Sequence, residues 1–265
     1  MYSNIGSRSE PTAPPYPAAH DLLRGKTVLV TAAAGTGIGF ATAKRCAEEG
    51  AVVAISDRHE RRLAESAERL AEVMGQEPVA VPCDVTVEDD VQRMFDAVGE
   101  FDVLVNNAGL GGTAELADMT DEQWSRVLDV TLTGTMRCTR EALRRLRLQA
   151  RGGAIVNNAS VIGWRAQAGQ AHYAAAKAGV MALTRTAAVE AAAFGVRVNA
   201  VAPSLAMHEN LAKVTTDELL AELTSREAFG RAAEPWEVAN VIVFLASDYA
   251  SYLTGEVLSV SSQHP

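Results

Sequence analysis

The chain has 265 residues, of which 48% are hydrophobic and 22% charged, the balance of an ordinary globular domain rather than a fibre or a disordered chain. This length suits a single doubly wound α/β domain with a large core. The formal net charge of −9 argues against nucleic acid or an anionic membrane as partner, because attraction to phosphate needs clustered Lys and Arg.

Residues 1–25 are rich in Pro, Ser and Ala without periodicity, and read as a flexible N-terminal arm ahead of a domain at 26–265. From Lys26, apolar β-type runs alternate with helical patterns: KTVLVT with GFATAKRCAEEG, VVAIS with RRLAESAERLAEVM, VAVPCD with EDDVQRMFDAVG. DVLVNNAG precedes an amphipathic stretch from Asp121, whose start is marked by the capping-box spacing of Thr120 and Gln123. GAIVNNAS, an Ala-rich helix from about His172 to Phe194, and VRVNAVAPS follow. EPWEVANVIVFLAS places Pro235 at a helix-opening position, and GEVLSVS closes the chain as a strand.

Strands that are apolar nearly throughout, each followed by a helix, indicate a parallel sheet covered on both faces. The expected fold is a single-domain Rossmann arrangement, a doubly wound sheet of about seven strands. Its ligand edge collects Thr31, Asp57, Asp84, Asn106, Ser160 and Pro203. Cys46, Cys83 and Cys138 lie far apart in apolar stretches and read as buried thiols. The five histidines show no metal-ligand spacing, so no metal is expected. No apolar run is long enough to span a bilayer, and a basic-then-apolar leader pattern is lacking, so the expected location is the cytoplasm. The basic runs Arg144, Arg145, Arg147, Arg151 and Arg58, Arg61, Arg62 read as solvated helix faces, with a CoA-like substrate the only polyanion kept in view.

Gly35, Gly37 and Gly39 fall between the first strand and its helix, where backbone N–H groups and the helix dipole can bind pyrophosphate. A merely tight turn is the alternative. Asp57 ends the second strand about 20 residues on, where a carboxylate accepts from a ribose 2′-hydroxyl and repels a 2′-phosphate. NAD is therefore favoured over NADP, although Arg58 beside it can soften that preference, and a helix-capping Asp is the plainer reading. Tyr173 and Lys177 stand four apart in a predicted helix, so they share a face. A cation near the phenol favours the phenolate, which suits Tyr173 to acid–base work with Ser160 on the same substrate oxygen. Spacing alone also fits an ordinary core-and-surface pair.

GTGIG at 35–39, CDVT at 83–86, NNAG at 106–109, NASVIG at 158–163, YAAAK at 173–177, VRVNAVAPS at 196–204 and LASDYASYLTGEVLSV at 245–260 together resemble the short-chain dehydrogenase/reductase family over nearly all of the chain from Lys26. The resemblance implies an oxidoreductase moving hydride between nicotinamide C4 and a carbinol carbon. It makes Tyr173 the acid/base, Ser160 the orienter of the substrate oxygen, and Lys177 the group that lowers the tyrosine pKa and holds the nicotinamide ribose. It assigns cofactor contacts to Thr31, Gly35, Gly37, Ile38, Gly39, Asp57, Arg58, Asp84, Val85, Asn106, Asn107, Ala108, Gly109, Pro203 and Ser204. It also implies a homotetramer built on the helices near 121–149 and 172–194. NNAGLGG, NNASVIGWRAQ, EAFGRAAEPWEVA and SVSSQHP resemble an actinobacterial branch of the family, in steroid ring C/D degradation, acting on a hydroxy-indane-carboxyl-CoA. The 3-oxoacyl-carrier-protein reductases share the general motifs and are the second reading.

Several positions depart from the family pattern. Thr131 stands where the family has a catalytic Asn supporting a water chain from the lysine. The glycine stretch is one residue longer, with Ala32 or Ala33 at the first glycine's place. Pro203-Ser204 replaces Pro-Gly, and His208 falls near a nicotinamide contact, where its partners are the carboxamide or a substrate carboxylate or phosphate; a plain surface-loop histidine is the alternative. Ser262-Gln263, with His264 and Pro265, replaces a final Gly-Gly. The interval 205–231 breaks the αβ rhythm and is expected to form a substrate lid, with a helix capped by Thr215 and Glu218. Trp164, Arg165 and Gln167 are candidates for the opposite wall, Trp164 offering an apolar face and Arg165 a partner for an anion. A non-catalytic dinucleotide sensor would have lost Ser160, Tyr173 and Lys177, and all three are present.

Overall fold

The computed structural model describes residues 12–207 and 217–262. Within them, β1 (Thr27–Val30), β2 (Val52–Asp57), β3 (Val79–Pro82), β4 (Val103–Asn106), β5 (Gly153–Asn158), β6 (Val196–Pro203) and β7 (Val257–Val260) form one sheet in the order β3-β2-β1-β4-β5-β6-β7. Each of these pairings is parallel. The strands are apolar at consecutive positions because both faces are covered. Val28, Val30, Val103, Val105 and Val156 enter one core, and Leu29, Leu104, Ile155 and Val198 the other.

On the first face lie α1 (Ile38–Glu48), α2 (Glu60–Met74) and α8 (Pro235–Ala246), through Cys46, Leu63, Leu70, Ile242 and Leu245. On the second lie α3 (Glu88–Val98), α5 (Gly134–Gln149) and α6 (Ala171–Ala191), through Phe95, Cys138, Leu146 and Ala188. Helix α4 (Asp121–Leu128) begins with the expected capping box between Thr120 and Gln123, and Pro235 opens α8. Between α4 and α5 the backbone widens to a π turn over Asp129–Thr133, a local distortion frequent beside functional sites. A further helix, α7 (Asp217–Ser225), lies in the expected lid interval. Cys46, Cys83 and Cys138 are all free and buried, and burial pushes the Cys46 and Cys83 thiols up to about 12.

The expected boundary near Lys26 falls inside packed structure. Leu23 is fully buried in the first core, and its N–H donates to the Glu49 carbonyl at 2.9 Å. Glu49, 1% exposed, accepts from the N–H groups of His20 at 2.8 Å and Leu22 at 3.1 Å, and from Arg45 Nη2 at 2.7 Å. Tyr16 stacks obliquely on Trp236, its ring centroid 5.3 Å away, and donates to Glu48 Oε2 at 2.7 Å. Residues 16–25 thus strap α1 to α8. The boundary was misplaced because this segment is held by a buried ion pair and backbone bonds, which leave no periodic apolar pattern.

Candidate active site

The sheet order changes direction between β1 and β4, where an open parallel sheet leaves a crevice beyond the strands' carboxyl ends. Thr31 ties these two strands together. Its hydroxyl accepts from the N–H groups of Asn107 at 3.0 Å and Ala108 at 3.2 Å, and donates to the Val105 carbonyl at 3.4 Å. The chain then turns through Ala32 to Gly35, with φ of 49° at Ala32 and 99° at Gly35. Ala32, not Ala33, takes the left-handed turn, at a strain of roughly 1 kcal/mol for a residue bearing a Cβ. Asn107 Nδ2 holds the Ala32 carbonyl at 2.9 Å. Gly39 is required for space, since a Cβ there would stand 2.3 Å from the Ala32 carbonyl oxygen. Gly37 caps α1 without a side-chain acceptor, so the first-turn N–H groups near Ile38 keep the arrangement in which a helix takes a phosphate.

Asp57, 9% exposed, ends β2 beside this loop. Its Oδ1 accepts from the His59 N–H at 2.9 Å and its Oδ2 from the Ala34 N–H at 3.3 Å, which leaves each oxygen capacity for a ribose hydroxyl. Arg58 is exposed, its Nε donating to His59 Nε2 at 3.4 Å. Asp84 accepts from the Thr86 N–H at 2.9 Å and hydroxyl at 2.7 Å. Burial raises its carboxyl, but the Thr86 hydrogen bonds with Arg58 and Arg137 outweigh that and hold it below the usual range. Val85 is buried, against Gly134 at the start of α5.

Asn106 does not line the cofactor edge as expected. It is 3% exposed, and its Nδ2 donates to Thr139 Oγ1 at 3.0 Å and Asn157 Oδ1 at 2.9 Å. Alternation along the strand explains this: Asn106 turns into the interior while Asn107 faces the glycine loop.

Ser160, just past β5, opens a 3₁₀ turn over Val161–Gly163, its Oγ accepting from the Ile162 N–H at 3.3 Å. Tyr173 and Lys177 share one face of α6. Burial pushes the Tyr173 phenol above its ordinary value, and the neighbouring Ser160 hydroxyl opposes the rise. Lys177, 3% exposed, donates to the Asn158 carbonyl at 2.5 Å, with Nζ 5.6 Å from the Tyr173 ring centroid. Burial lowers its pKa to about 8. The expected depression of the Tyr173 pKa by Lys177 is therefore not what the structure shows. Desolvation governs the phenol, and the ammonium is directed at Asn158.

Gly109 joins this group: a Cβ on it would lie 3.5 Å from Lys177 Nζ and 3.9 Å from Thr131 Oγ1. Thr131, fully buried in the π turn, accepts from the Leu110 N–H at 2.9 Å and donates to the Leu110 carbonyl at 3.1 Å. Its own carbonyl accepts from the Thr135 hydroxyl at 2.8 Å. The Thr131 hydroxyl thus braces the loop over Lys177, and its one proton is committed there. Two further neighbours escaped the sequence reading. His172, 2% exposed, accepts the Tyr173 N–H on Nδ1 at 2.9 Å, with Nε2 against Gly112. Asn158 Nδ2 donates to Asn107 Oδ1 at 2.9 Å, joining β5, whose last carbonyl holds Lys177, to the residue that grips the glycine loop. The signals were the glycine pair Gly111-Gly112 in NNAGLGG and the doubled Asn before Ser160.

Trp164, 43% exposed, and Arg165 follow on the turn after Ser160, both N–H groups donating to the Val161 carbonyl at 3.0 Å. The Gln167 carbonyl accepts from Gln170 at 3.2 Å. Pro203 is buried at the end of β6, and the Ser204 N–H donates to the Val260 carbonyl at 3.1 Å. The Ser262 hydroxyl donates to buried Glu227 at 2.7 Å, which fastens the tail to the segment after α7. His208, Thr215, Gln263, His264, Pro265 and the Glu218 side chain lie outside the described residues. Within the basic runs, Arg144 and Arg145 pair with Glu141, Arg145 with Asp96, Arg151 with Glu100 and Asp102, and Arg61 with Glu65.

A family described as enoyl-(acyl carrier protein) reductase matches residues 32–262. The chain is 62% identical over 257 residues to the (5R,7aS)-5-hydroxy-7a-methyl-1-oxo-2,3,5,6,7,7a-hexahydro-1H-indene-carboxyl-CoA reductase of Mycobacterium tuberculosis, covering 96% of this chain and 98% of the relative. It is 44% identical to a cis-4-hydroxycyclohexanecarboxylate dehydrogenase of Sinomonas cyclohexanicum, covering 88% of this chain and 94% of that one. The crystal structure of a short chain dehydrogenase from Mycobacterium smegmatis superposes with a TM-score of 0.85 at 58% identity, covering 97% of this chain and all of that one. A seven-stranded doubly wound sheet, with Ser160, Tyr173 and Lys177 at its ligand edge and relatives of this identity along nearly its whole length, makes the chain an oxidoreductase of the short-chain dehydrogenase/reductase family.

Proposed function

We propose that the chain is an NAD-linked oxidoreductase that interconverts a secondary alcohol and a ketone on a bulky cyclic acyl-CoA, with Tyr173 as the acid/base. The observation that carries this is the grouping of Ser160, Tyr173 and Lys177: the last two share one face of α6, and the Ser160 hydroxyl lies beside the phenol. The residues present fit a nicotinamide dinucleotide: an uncapped first turn of α1, Asp57 beside it, and Lys177 with one of its three donors committed to Asn158. Bound there, that cofactor supplies or takes up the hydride.

In reduction, the Tyr173 phenol gives its proton to the substrate oxygen while the Ser160 hydroxyl holds the same oxygen. In oxidation, Tyr173 receives that proton. Burial keeps the phenol protonated near neutral pH, the form needed to donate. The remaining Lys177 donors lie by Gly109, placed for ribose hydroxyls, and Thr131 keeps that loop in register. Asp57 selects NAD by accepting from the ribose and repelling a 2′-phosphate. The interval 205–231 serves as the substrate lid and Trp164, Arg165 and Gln167 as the facing wall, with His208 assigned to the substrate. The indane-carboxyl-CoA substrate is argued from the 62% identical relative. Exposed Trp124 on α4 and Val189 on α6 suit a homotetramer assembled through those helices.

A cofactor-absorbance assay over hydroxy-indane-carboxyl-CoA, 4-hydroxycyclohexanecarboxylate and 3-oxoacyl thioesters, with both nicotinamide cofactors, tests the proposal. The indane thioester with NAD(H) should give the highest kcat/KM. A preference for 3-oxoacyl thioesters with NADPH would overturn it.

A further inference from the structure

The phosphate loop between β1 and α1 is gripped from α2. The Gly35 N–H donates to Ser66 Oγ at 3.1 Å, and Arg69 Nη1 donates to the Gly35 carbonyl at 3.2 Å. Ser66 is 1% exposed, so its hydroxyl has been taken out of water to receive this one backbone group. The Arg69 guanidinium is fixed as well, 3.9 Å above the ring of Phe40 in the first turns of α1. Residues three apart share a helix face, so Ser66 and Arg69 hold one residue, Gly35, by its N–H and its carbonyl, on the two peptide units that flank its Cα. Past Thr36, the N–H groups of Gly37, Ile38 and Gly39 open α1.

The loop needs such a grip. Ala32 and Gly35 both have positive φ, and only Gly35 reaches that region without strain. A Cβ at Gly35 would meet nothing within 4 Å, so steric packing does not fix its path. The loop is fixed by polar bonds: Asn107 to the Ala32 carbonyl, Asp57 to the Ala34 N–H, and Ser66 with Arg69 at Gly35. Of these, Asp57 and Asn107 come from motifs at the strand ends, whereas Ser66 and Arg69 lie outside every motif.

We propose that Ser66 and Arg69 are positioning residues for cofactor binding, aiming the N–H groups at the start of α1 by holding the backbone on both sides of the Gly35 Cα. This rests on the dinucleotide reading of the site. Neither side chain need touch the cofactor. Loosening the grip should weaken its phosphate-bearing half and leave Tyr173 chemistry intact once the cofactor is bound.

The test is calorimetric titration of the full-length protein with ADP-ribose and NADH for Ser66→Ala, Arg69→Met and Arg69→Lys, alongside kcat at saturating cofactor and thermal melting without it. Methionine keeps the contact with Phe40 and removes the donor; lysine restores a donor. Losing one such hydrogen bond corresponds to about three- to tenfold in affinity. Ser66→Ala and Arg69→Met should weaken both ligands by that factor, with kcat and the alcohol KM unchanged and Arg69→Lys recovering most of the loss. If the wild type binds both ligands and the variants bind them equally well, or if kcat falls as much as affinity, the positioning role is refuted. If the wild type binds neither ligand, the dinucleotide reading itself fails.

Discussion

Replacing Lys177 by methionine keeps most of the side-chain volume and removes the titrating amine. In the folded protein its pKa is lowered from 10.5 to about 8 by burial, and the side chain is 3% exposed, so solvent screens little of this. A shift of that size corresponds to about 3 kcal/mol. Because the folded pKa lies below the unfolded one, protonation of Lys177 opposes folding. The penalty is full below about pH 8 and disappears above about pH 10.5, since across that window the unfolded chain binds the proton more strongly. Denaturant unfolding of wild type and Lys177→Met, without cofactor, at a series of pH values from neutral to beyond pH 10.5, isolates this effect. The loss of the Asn158 contact is independent of pH in the variant, and other titrating groups cancel in the difference. Wild-type stability should rise relative to the variant by about 3 kcal/mol across the window. A flat difference, or one that shrinks, would refute the account of Lys177 as a buried amine kept for chemistry at the expense of stability.

Ala32→Gly relieves a left-handed residue at φ 49° and should stabilise the protein by about 0.5–1 kcal/mol; destabilisation in a melting experiment would contradict this turn geometry. Glu49→Ala removes the acceptor shared by Arg45, His20 and Leu22 and should lower stability by about 3–5 kcal/mol. It should also expose the bond after Arg24 to trypsin; an unchanged denaturation midpoint with no new cleavage would show that the N-terminal strap does not hold α1.

The parts legible from sequence were those with a period or a motif. Strands such as β1 and β4, with VLV at three consecutive positions, betray a doubly covered sheet by being apolar in an unbroken run, and Tyr173 with Lys177 is readable because helical geometry places residues four apart together. The strap was not legible, because His20, Leu22 and Tyr16 are held by Glu49 and Glu48, helix-end acids that look solvated in sequence. Asn106 and Asn107 look equivalent in NNAG, yet they turn opposite ways at the end of β4. Ala32 carries no mark of positive φ, which arises from what grips the loop. Ser66 and Arg69 sit in the charged helix RRLAESAERLAEVM, where a serine and an arginine read as surface.

Tyr173→Phe tests the central claim most directly, since it removes only the hydroxyl beside Ser160. Turnover of the hydroxy-indane-carboxyl-CoA with NAD(H), followed by absorbance, should fall by at least the 10²–10⁴-fold typical of losing a general acid, while NADH affinity by calorimetry stays within about twofold of wild type, less than the loss of one hydrogen bond. Retained turnover with intact NADH binding would show that another group moves the proton.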